Sequence, residues 1–255
     1  MTTLVFRFPG GQYHATPWGH HVNEGMVEWP PCPWRLVRAL ISVGYTHLGW
    51  DAEIPLQAQG LIGALASQLP SYTVPSASLG HSRHYMPVPG GKPTLVMDEW
   101  EQVDDRKLHI HWLLDISPDE KTLLKKLVSS MGYLGRAASW VEGRIAGEQE
   151  VRLRPNVFCH ENSSTALEPD QELILLAAPL AAQQYEQWRL ENIPAQADAK
   201  GKSKAASKAE APFPASLIDA LQWDTARWKA FGWSQAPGMQ KGQYRRPKGA
   251  LAAWL

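Results

Sequence analysis

The chain has 255 residues, of which 44% are hydrophobic and 20% charged, proportions ordinary for a globular protein with a sizeable buried core. Its 25 basic residues balance 25 acidic ones, which excludes a bulk polycation, so any surface for nucleic acid must come from local clustering of charge. The two cysteines lie far apart, and neither a signal-like start nor an 18-residue apolar stretch occurs. We therefore expect a reduced, cytoplasmic protein with no membrane contact.

The chain begins with a strand and a strong helix signal. Alternating apolar residues predict a strand at Leu4–Phe8. Prolines then hold the backbone extended, and Pro33 suits a first helical position, so we predict a helix from Pro33 to about Leu48. Arg35 and Arg38 lie near the start of this helix.

Apolar periodicity predicts further elements as far as residue 160. Ser117-Pro-Asp-Glu120 is a capping box that predicts the start of a helix, with Gly132 as its end. His109 and His111 share one strand face opposite the apolar residues, so we expect them to be exposed. The other predictions are a helix at Leu56–Leu69 and strands at Ser71–Val74, Thr94–Met97, Lys107–Asp115 and Val151–Phe158.

The second half of the chain is less regular. The segment Tyr133–Ile145, which carries Arg136, Trp140 and Arg144, fits either a strand or a short helix. The later predictions are a strand at Leu173–Ala177, a helix at Ala181–Leu190, a mobile Ala- and Lys-rich loop at 196–212, a helix at Ser216–Phe231, and a basic segment at Gln235–Lys248 with Arg245 and Arg246.

Reduced to its main elements, the first part of the chain has the order βαββαβ. This order predicts an α+β fold of the ferredoxin-like, RNA-recognition-motif type, with an inserted hairpin near 80–100 and additional C-terminal elements. We expect a main domain at 1–160, an appended strand and helix at 161–195, the loop at 196–212, and a C-terminal part at 213–255 that packs on the main domain. A fold of this type does not by itself indicate a function.

The most distinctive stretch is GHSRHYMPVPGGK, from Gly80 to Lys92. It places side chains suited to phosphate binding, stacking and proton transfer beside a Pro-Gly-Gly turn. Flanking apolar residues predict that the stretch forms a hairpin or a long loop. The side chains concerned are His81, Arg83, His84, Tyr85 and Lys92.

Three functions fit these residues. The first is RNA binding, in which arginine and lysine contact phosphates while Tyr85, Trp18 and Trp140 stack on unpaired bases. The further arginines predicted to contact RNA are Arg35, Arg38, Arg136, Arg144, Arg245 and Arg246. The second is metal-independent RNA cleavage, with His81, His84 and Tyr85 as acid and base. The third is a protein–protein scaffold that uses the 12 tryptophans. A surface hairpin without function also remains open.

Other chemistries find little support in the sequence. Cys32 with His20 and His21, Cys159 with His160, and the pair His109 and His111 all lack the paired spacing of a zinc site. The run from Gly80 to His84 ends in histidine where a serine-hydrolase elbow has glycine, and no Walker or dinucleotide glycine pattern occurs. We therefore expect neither a metal nor a cofactor.

Several ordered segments carry a resemblance to a known family. They are FRFPGGQYHAT, EWPPCPWRLVRALIS, HSRHYMPVPGGKPTLVMDEW and YLGRAASWV. Over roughly the first 160 residues the chain resembles the handle-binding RAMP subunit of type I CRISPR effector complexes (Cascade), in the variety of type I-G, formerly I-U. His81, Arg83, His84 and Tyr85 match the family's polar motif, and the residues matching the start of its first helix are Glu28, Trp29, Pro30, Arg35 and Leu36.

The resemblance implies a ferredoxin-like RAMP domain with a projecting thumb hairpin. It also implies a subunit that grips the 5′ handle of CRISPR RNA, caps the backbone filament, contacts the backbone and large subunits, and meets target DNA only indirectly. Members of this variety are commonly fused to a CRISPR-RNA processing endonuclease, and this sequence matches only the first half. We therefore expect a non-catalytic RNA-binding subunit, with processing of precursor CRISPR RNA as the alternative.

Overall fold

The computed structural model describes residues 1–21, 23–104, 106–160, 166–192 and 213–252. The predicted loop at 196–212, with its lysines at 200, 202, 204 and 208, lies outside these residues. The described strands are β1 (Thr2–Arg7), β2 (Gln12–Tyr13), β3 (Ser71–Thr73), β4 (Ala77–Met86), β5 (Thr94–Gln102), β6 (Lys107–Trp112), β7 (Glu142–Ile145), β8 (Phe158–Cys159), β9 (Gln171–Pro179), β10 (Met239–Pro247) and β11 (Leu251–Ala252). The described α-helices are α1 (Pro33–His47), α2 (Leu56–Ser67), α3 (Pro118–Ser129), α4 (Glu148–Val151), α5 (Ala182–Asn192), α6 (Leu217–Gln222) and α7 (Thr225–Ala230).

A four-stranded antiparallel sheet in the order β3-β6-β1-β7 forms the centre of the mixed α+β fold. Leu4 lies opposite Ile110 on one side and Ile145 on the other. The face that carries Leu4, Phe6 and Ile110 is buried with the apolar sides of α1, α2 and α3. The indole N–H of Trp112 on β6 donates to the carbonyl of Leu65 on α2 at 3.2 Å, which ties the helix layer to the sheet.

The helix predictions for this layer are confirmed. Pro33 occupies the first turn of α1, whose residues Leu36, Val37, Leu40 and Ile41 are buried. The capping box at the start of α3 is complete, because the Ser117 hydroxyl accepts from the Glu120 N–H while the Glu120 carboxylate accepts from the Ser117 N–H. Helix α3 ends at Ser129, earlier than the predicted stop at Gly132.

The expectation that His109 and His111 are exposed is wrong, since both side chains are buried. The segment after β7 covers this face: Glu150 lies 3.9 Å from the His109 ring, and the Arg154 carbonyl accepts from the Thr73 hydroxyl. The hydroxyls of Thr3 and Thr73 contact the two ring nitrogens of His111, and burial followed by His109 lowers the pKa of His111 to about 4.

Two further element predictions are wrong. Residues 151–157 do not form a strand, because Asn156 bonds both backbone groups of Val74 through its side chain and only Val157 pairs with Tyr72. Residues 216–231 form two helices instead of one, because the Asp224 carboxylate caps a new helix by accepting from the Arg227 N–H. Of the ambiguous segment 133–145, only β7 is regular.

The C-terminal part forms a three-stranded sheet in the order β8-β10-β9, which shares the core of the N-terminal part. Tyr244 on β10 is fully buried, and its ring contacts that of Tyr72 on β3 edge to face. Arg38 on α1 donates to the carbonyls of Leu221 and Trp223, each at 2.6 Å. The basic segment at 235–248 is thus mainly the strand β10, with one face against the core.

Candidate nucleic-acid interface

The stretch from Gly80 to Lys92 forms most of a long hairpin, as predicted. Strands β4 and β5 pair antiparallel from Ser78 opposite Gln102 to Met86 opposite Thr94. The turn between them contains Gly90, whose φ of 69° lies in the left-handed region that favours glycine. The side chains from His81 to Leu95 are exposed, whereas the base of the hairpin is buried at Ala77, Gly80 and Glu101. The hairpin therefore projects from the body of the protein.

The polar motif divides between the two faces of the hairpin. Because side chains alternate along a strand, His81, Arg83 and Tyr85 share one face and Ser82 and His84 the other. On the first face, Arg83 lies opposite Met97, and no carboxylate contacts Arg83 within the described residues. Strand β5 carries Asp98 and Glu99, so the hairpin's positive charge is concentrated on β4 and at Lys92 in the turn.

The second face contains a charged cluster centred on Asp98. Its carboxylate lies 3.2 Å from the Arg136 guanidinium, 3.6 Å from His84 Nδ1 and 4.0 Å from His14 Nε2. Burial followed by the charge of Arg136 lowers the pKa of His14, while Asp98 acts in the opposite direction. We call these four residues the Asp98 cluster; it joins two predicted site residues from distant parts of the chain, His84 and Arg136.

His14 was not among the predicted site residues. The sequence offers one signal, the Pro9-Gly10-Gly11 run after the first strand, which allows the chain to turn just before His14. In the structure, β2 pairs with the base of β5, with Tyr13 opposite Glu101. This pairing carries His14 to the hairpin, a long-range contact that no local pattern indicates.

The loop at 132–141 presents two further aromatic groups beside the cluster. Its position is fixed by hydrogen bonds from the Arg136 N–H to the His14 carbonyl at 2.8 Å and from the His14 N–H to the Ser139 hydroxyl at 2.7 Å. Trp140 and Tyr133 are 61% and 53% exposed, respectively, so much of each ring is accessible to a ligand. The loop therefore offers stacking surfaces next to the hairpin.

Gly135 is the position on which the geometry of this loop depends. Its φ is 90°, and a Cβ there would lie 2.6 Å from the His14 carbonyl oxygen. We expect Gly135→Ala to lower the free energy of unfolding by about 1–3 kcal/mol, because the backbone is strained and cannot yield cheaply. Gly132→Ala is the matched control, since nothing lies within 4 Å of its added Cβ. Urea unfolding compares the two variants, and equal stabilities would contradict this account of the loop.

Arg35 and Arg38, predicted as RNA contacts, both make internal bonds. The Arg35 guanidinium donates to the buried Glu28 carboxylate at 2.8 Å and to the Thr16 carbonyl at 2.9 Å. Arg38 donates to two backbone carbonyls, as described above, and its guanidinium lies 5.0 Å from the centre of the Trp228 ring. The charge of Arg35 is thus balanced by Glu28, whereas Arg38 is held by neutral backbone carbonyls.

The other predicted basic residues lie in different surroundings. Arg144 forms two bonds of 2.6 Å with the Glu150 carboxylate. Arg245 lies over the Phe158 ring, and Arg246 is buried, donating to Glu172 and to the Trp29 carbonyl. Within the described part of the chain, none of these three contacts the Asp98 cluster. The buried Arg246 is thus not accessible to RNA in this conformation.

Metal-binding clusters and membrane-spanning helices are both absent from the described residues. In the described ranges no group of three or more His, Cys, Asp and Glu residues has the geometry to hold a metal ion, and Cys32 and Cys159 are not joined in a disulfide. No helix there has the length and apolar character needed to cross a bilayer. No protein-family model matches the chain, and no curated protein sequence matches it significantly.

Proposed function

We propose that this chain is a non-catalytic RNA-binding subunit of a type I CRISPR surveillance complex, which grips the 5′ handle of CRISPR RNA and caps the backbone filament. The observation that carries the proposal is the projecting hairpin, with Arg83, Tyr85 and Lys92 exposed and His84 tied to Arg136 through Asp98. The resemblance of the ordered sequence segments to the handle-binding RAMP family supports it independently.

The order of strands supports the finer fold assignment within this proposal. If β1, β3, β6 and β7 are the four strands of a βαββαβ unit, their order across the sheet is fourth, first, third, second. Ferredoxin-like domains have this antiparallel order, with both helical segments on one face. The hairpin of β4 and β5 is then an insertion between the second and third strands, where a thumb is expected from the resemblance.

The chemistry of the hairpin suits single-stranded RNA. Arg83 and Lys92 can neutralise phosphates, and in a protein with no net charge such local cations must supply the electrostatic part of binding. Tyr85 and Trp140 provide faces on which unpaired bases can stack. Arg136 retains exposed surface beside Asp98 and extends the contact toward the body of the protein.

We expect Arg83→Ala to weaken RNA binding without altering the fold. Loss of one phosphate contact should reduce the slope of log affinity against log salt concentration by about 1 and weaken binding on all sequences alike. Fluorescence anisotropy with a labelled single-stranded CRISPR-repeat RNA at several salt concentrations measures both quantities. Arg152→Ala, which removes an exposed cation immediately after α4, is the control. An unchanged slope and affinity for Arg83→Ala would count against the hairpin as the RNA site.

The function itself is tested in the assembled complex. The chain is purified with the proteins encoded beside its gene and with CRISPR RNA, and protein–RNA crosslinks are mapped by mass spectrometry. The proposal expects crosslinks between the hairpin and the 5′ handle. A complex in which this subunit carries no crosslink to that handle would refute it, and a protein–protein scaffold would show no salt-dependent RNA affinity.

One observation favours RNA cleavage as a second candidate. His14 and His84 contact the same carboxylate from different elements, an arrangement that could supply an acid and a base. His81 and Tyr85 lie on the opposite hairpin face from His84, so the predicted acid and base residues His81, His84 and Tyr85 do not converge. A cleavage assay of the chain alone with repeat RNA in chelator tests this candidate. Cleavage that His84→Ala abolishes and His81→Ala retains would establish it, and no cleavage would refute it.

A further inference from the structure

A groove of about 480 Å³ opens on the other end of the loop that carries Arg136. We call it the Trp228 groove. Its walls come from α1, the start of α7, the loop around Trp18 and the loop residues Gly132, Tyr133 and Gly135. A cavity of this volume is in the range that binds small molecules or single groups of a larger ligand.

Aromatic rings form one wall of the groove. The Trp228 ring contacts that of Trp18 at a centroid distance of 5.3 Å and that of Trp34 at 6.1 Å. Trp34 and Trp228 are almost completely buried, whereas Trp18 is half-buried. Trp228, itself packed on Trp34, therefore supports the Trp18 ring, and a preformed aromatic surface can stack a planar ring with little loss of conformational entropy.

The other wall is polar and carries positive charge. Ser42, Thr46 and His47 are exposed along one side of α1 and supply hydrogen-bonding groups. The charge of Arg35 is balanced by Glu28, but Arg38 binds backbone carbonyls and makes no ion pair within the described residues. Aromatic faces, hydroxyl groups and a cation together match the parts of a nucleotide, which are a planar base with polar edges and a phosphate.

The groove is continuous with the hairpin through one short segment. Arg136 contacts Asp98 on the hairpin, and Tyr133, three residues earlier, lines the groove with about half of its side chain exposed. Three residues span at most about 11 Å. A nucleic-acid strand that passes from the hairpin onto Arg136 would therefore reach the mouth of the groove within a few nucleotides.

We infer that the Trp228 groove holds one unpaired base of the RNA strand that the hairpin binds. The inference rests on the proposed function, because it takes the ligand to be RNA. Tyr133 at the mouth and the aromatic wall with Trp18 provide the stacking surfaces, and the hydroxyls of α1 face the edge of the base. The hairpin then supplies most of the phosphate contacts, while the groove contributes a base contact.

The test separates base from phosphate contacts. The full chain is titrated with an eight-nucleotide uridine RNA and with an oligomer of equal charge in which every base is absent. Tyr133→Ala removes the exposed stacking group, and Thr46→Trp fills the groove from α1. Thr122→Trp is the matched control, because Thr122 is also exposed and donates the same type of hydroxyl bond to a carbonyl four residues earlier on α3.

We expect both groove variants to lose roughly five- to hundredfold in affinity for the uridine RNA, the effect of one stacked base. Their affinity for the base-free oligomer should stay within about twofold of the unaltered chain, as should that of Thr122→Trp for both ligands. Equal losses on both oligomers, or no loss on either, would overturn the inference and leave the proposed function standing. If the unaltered chain binds neither oligomer in a salt-dependent manner, the proposed function fails as well.

Discussion

Replacement of Glu28 by alanine is expected to lower the free energy of unfolding by about 3–5 kcal/mol. Glu28 is only 3% exposed, and its carboxylate accepts hydrogen bonds from Arg35 Nε at 2.8 Å, the Cys32 N–H at 2.9 Å and the Tyr13 hydroxyl at 3.2 Å. Its removal leaves a partly buried guanidinium without its counter-charge and two buried donors without an acceptor.

The surroundings of Glu28 explain why the effect should be large. Burial followed by the charge of Glu28 raises the pKa of both Tyr13 and Cys32 well above their ordinary values, so both groups stay protonated and act as neutral neighbours. Arg35 is consequently the partner that balances the charge of the carboxylate. The hydrogen bonds of Glu28 also join the start of α1 to the loop after β2. The hairpin and the Trp228 groove depend on these two elements.

Urea unfolding of Glu28→Ala is compared with that of Glu142→Ala. Glu142 forms an ion pair with Arg7 at 2.8 Å, but both side chains are substantially exposed, and such pairs contribute at most about 1 kcal/mol. A loss for Glu28→Ala no greater than that for Glu142→Ala would contradict the structural role given to the buried pair. Circular dichroism at low urea confirms that each variant is folded before the comparison.

Local sequence signals predicted the elements whose cause is local. Pro33 placed the start of α1, the Ser117 capping box placed the start of α3, and the Pro-Gly-Gly turn indicated the reversal between β4 and β5. In each case, backbone geometry fixed by neighbouring residues determines the structure. The same signals did not reveal the length of the hairpin, because its base is held by pairing with β2 and β11 from both ends of the chain.

Side-chain roles were harder to predict because they depend on distant partners. The sequence pattern of Arg35 and Arg38 is that of surface cations. In the structure, Arg35 binds the Glu28 carboxylate and Arg38 binds the Trp223 carbonyl. His109 and His111 follow the alternation of an exposed strand face, but the segment after β7 returns to cover that face. A single sequence shows the period of a strand and not which segment lies above it, so exposure and charge pairing could not be inferred.

Glu101→Gln is expected to stabilise the protein by up to about 3 kcal/mol near pH 8 and to have little effect near pH 4. Glu101 is 0% exposed, and neither carboxylate oxygen has a hydrogen-bond partner within the described residues. Burial raises the pKa of Glu101 from its ordinary value of 4.5 to about 7, although the charge of Arg246 acts in the opposite direction. Glutamine has nearly the same shape and stays neutral at every pH.

The sign of the effect follows from the folded state's greater affinity for the proton. Because the folded pKa lies above the unfolded one, the contribution of Glu101 falls as pH rises from about 4.5 to 7 and stays low above that. His111 acts in the opposite sense: its lowered pKa removes stability as pH falls from about 6.5 to 4. The substitution leaves His111 untouched, so the difference between the two unfolding curves isolates Glu101.

The measurement is the free energy of unfolding from pH 4 to pH 8, with Glu168→Gln as the control for loss of one surface carboxylate. Glu101 lies opposite Tyr13 and Leu79 at the base of the hairpin, so the pH-dependent difference reports how completely β2, β4 and β5 exclude water there. Parallel curves for Glu101→Gln and the unaltered protein would mean that Arg246 or water compensates the charge. Glu101 would then be ionised where the hairpin joins the body of the protein, and this attachment would not weaken as pH rises.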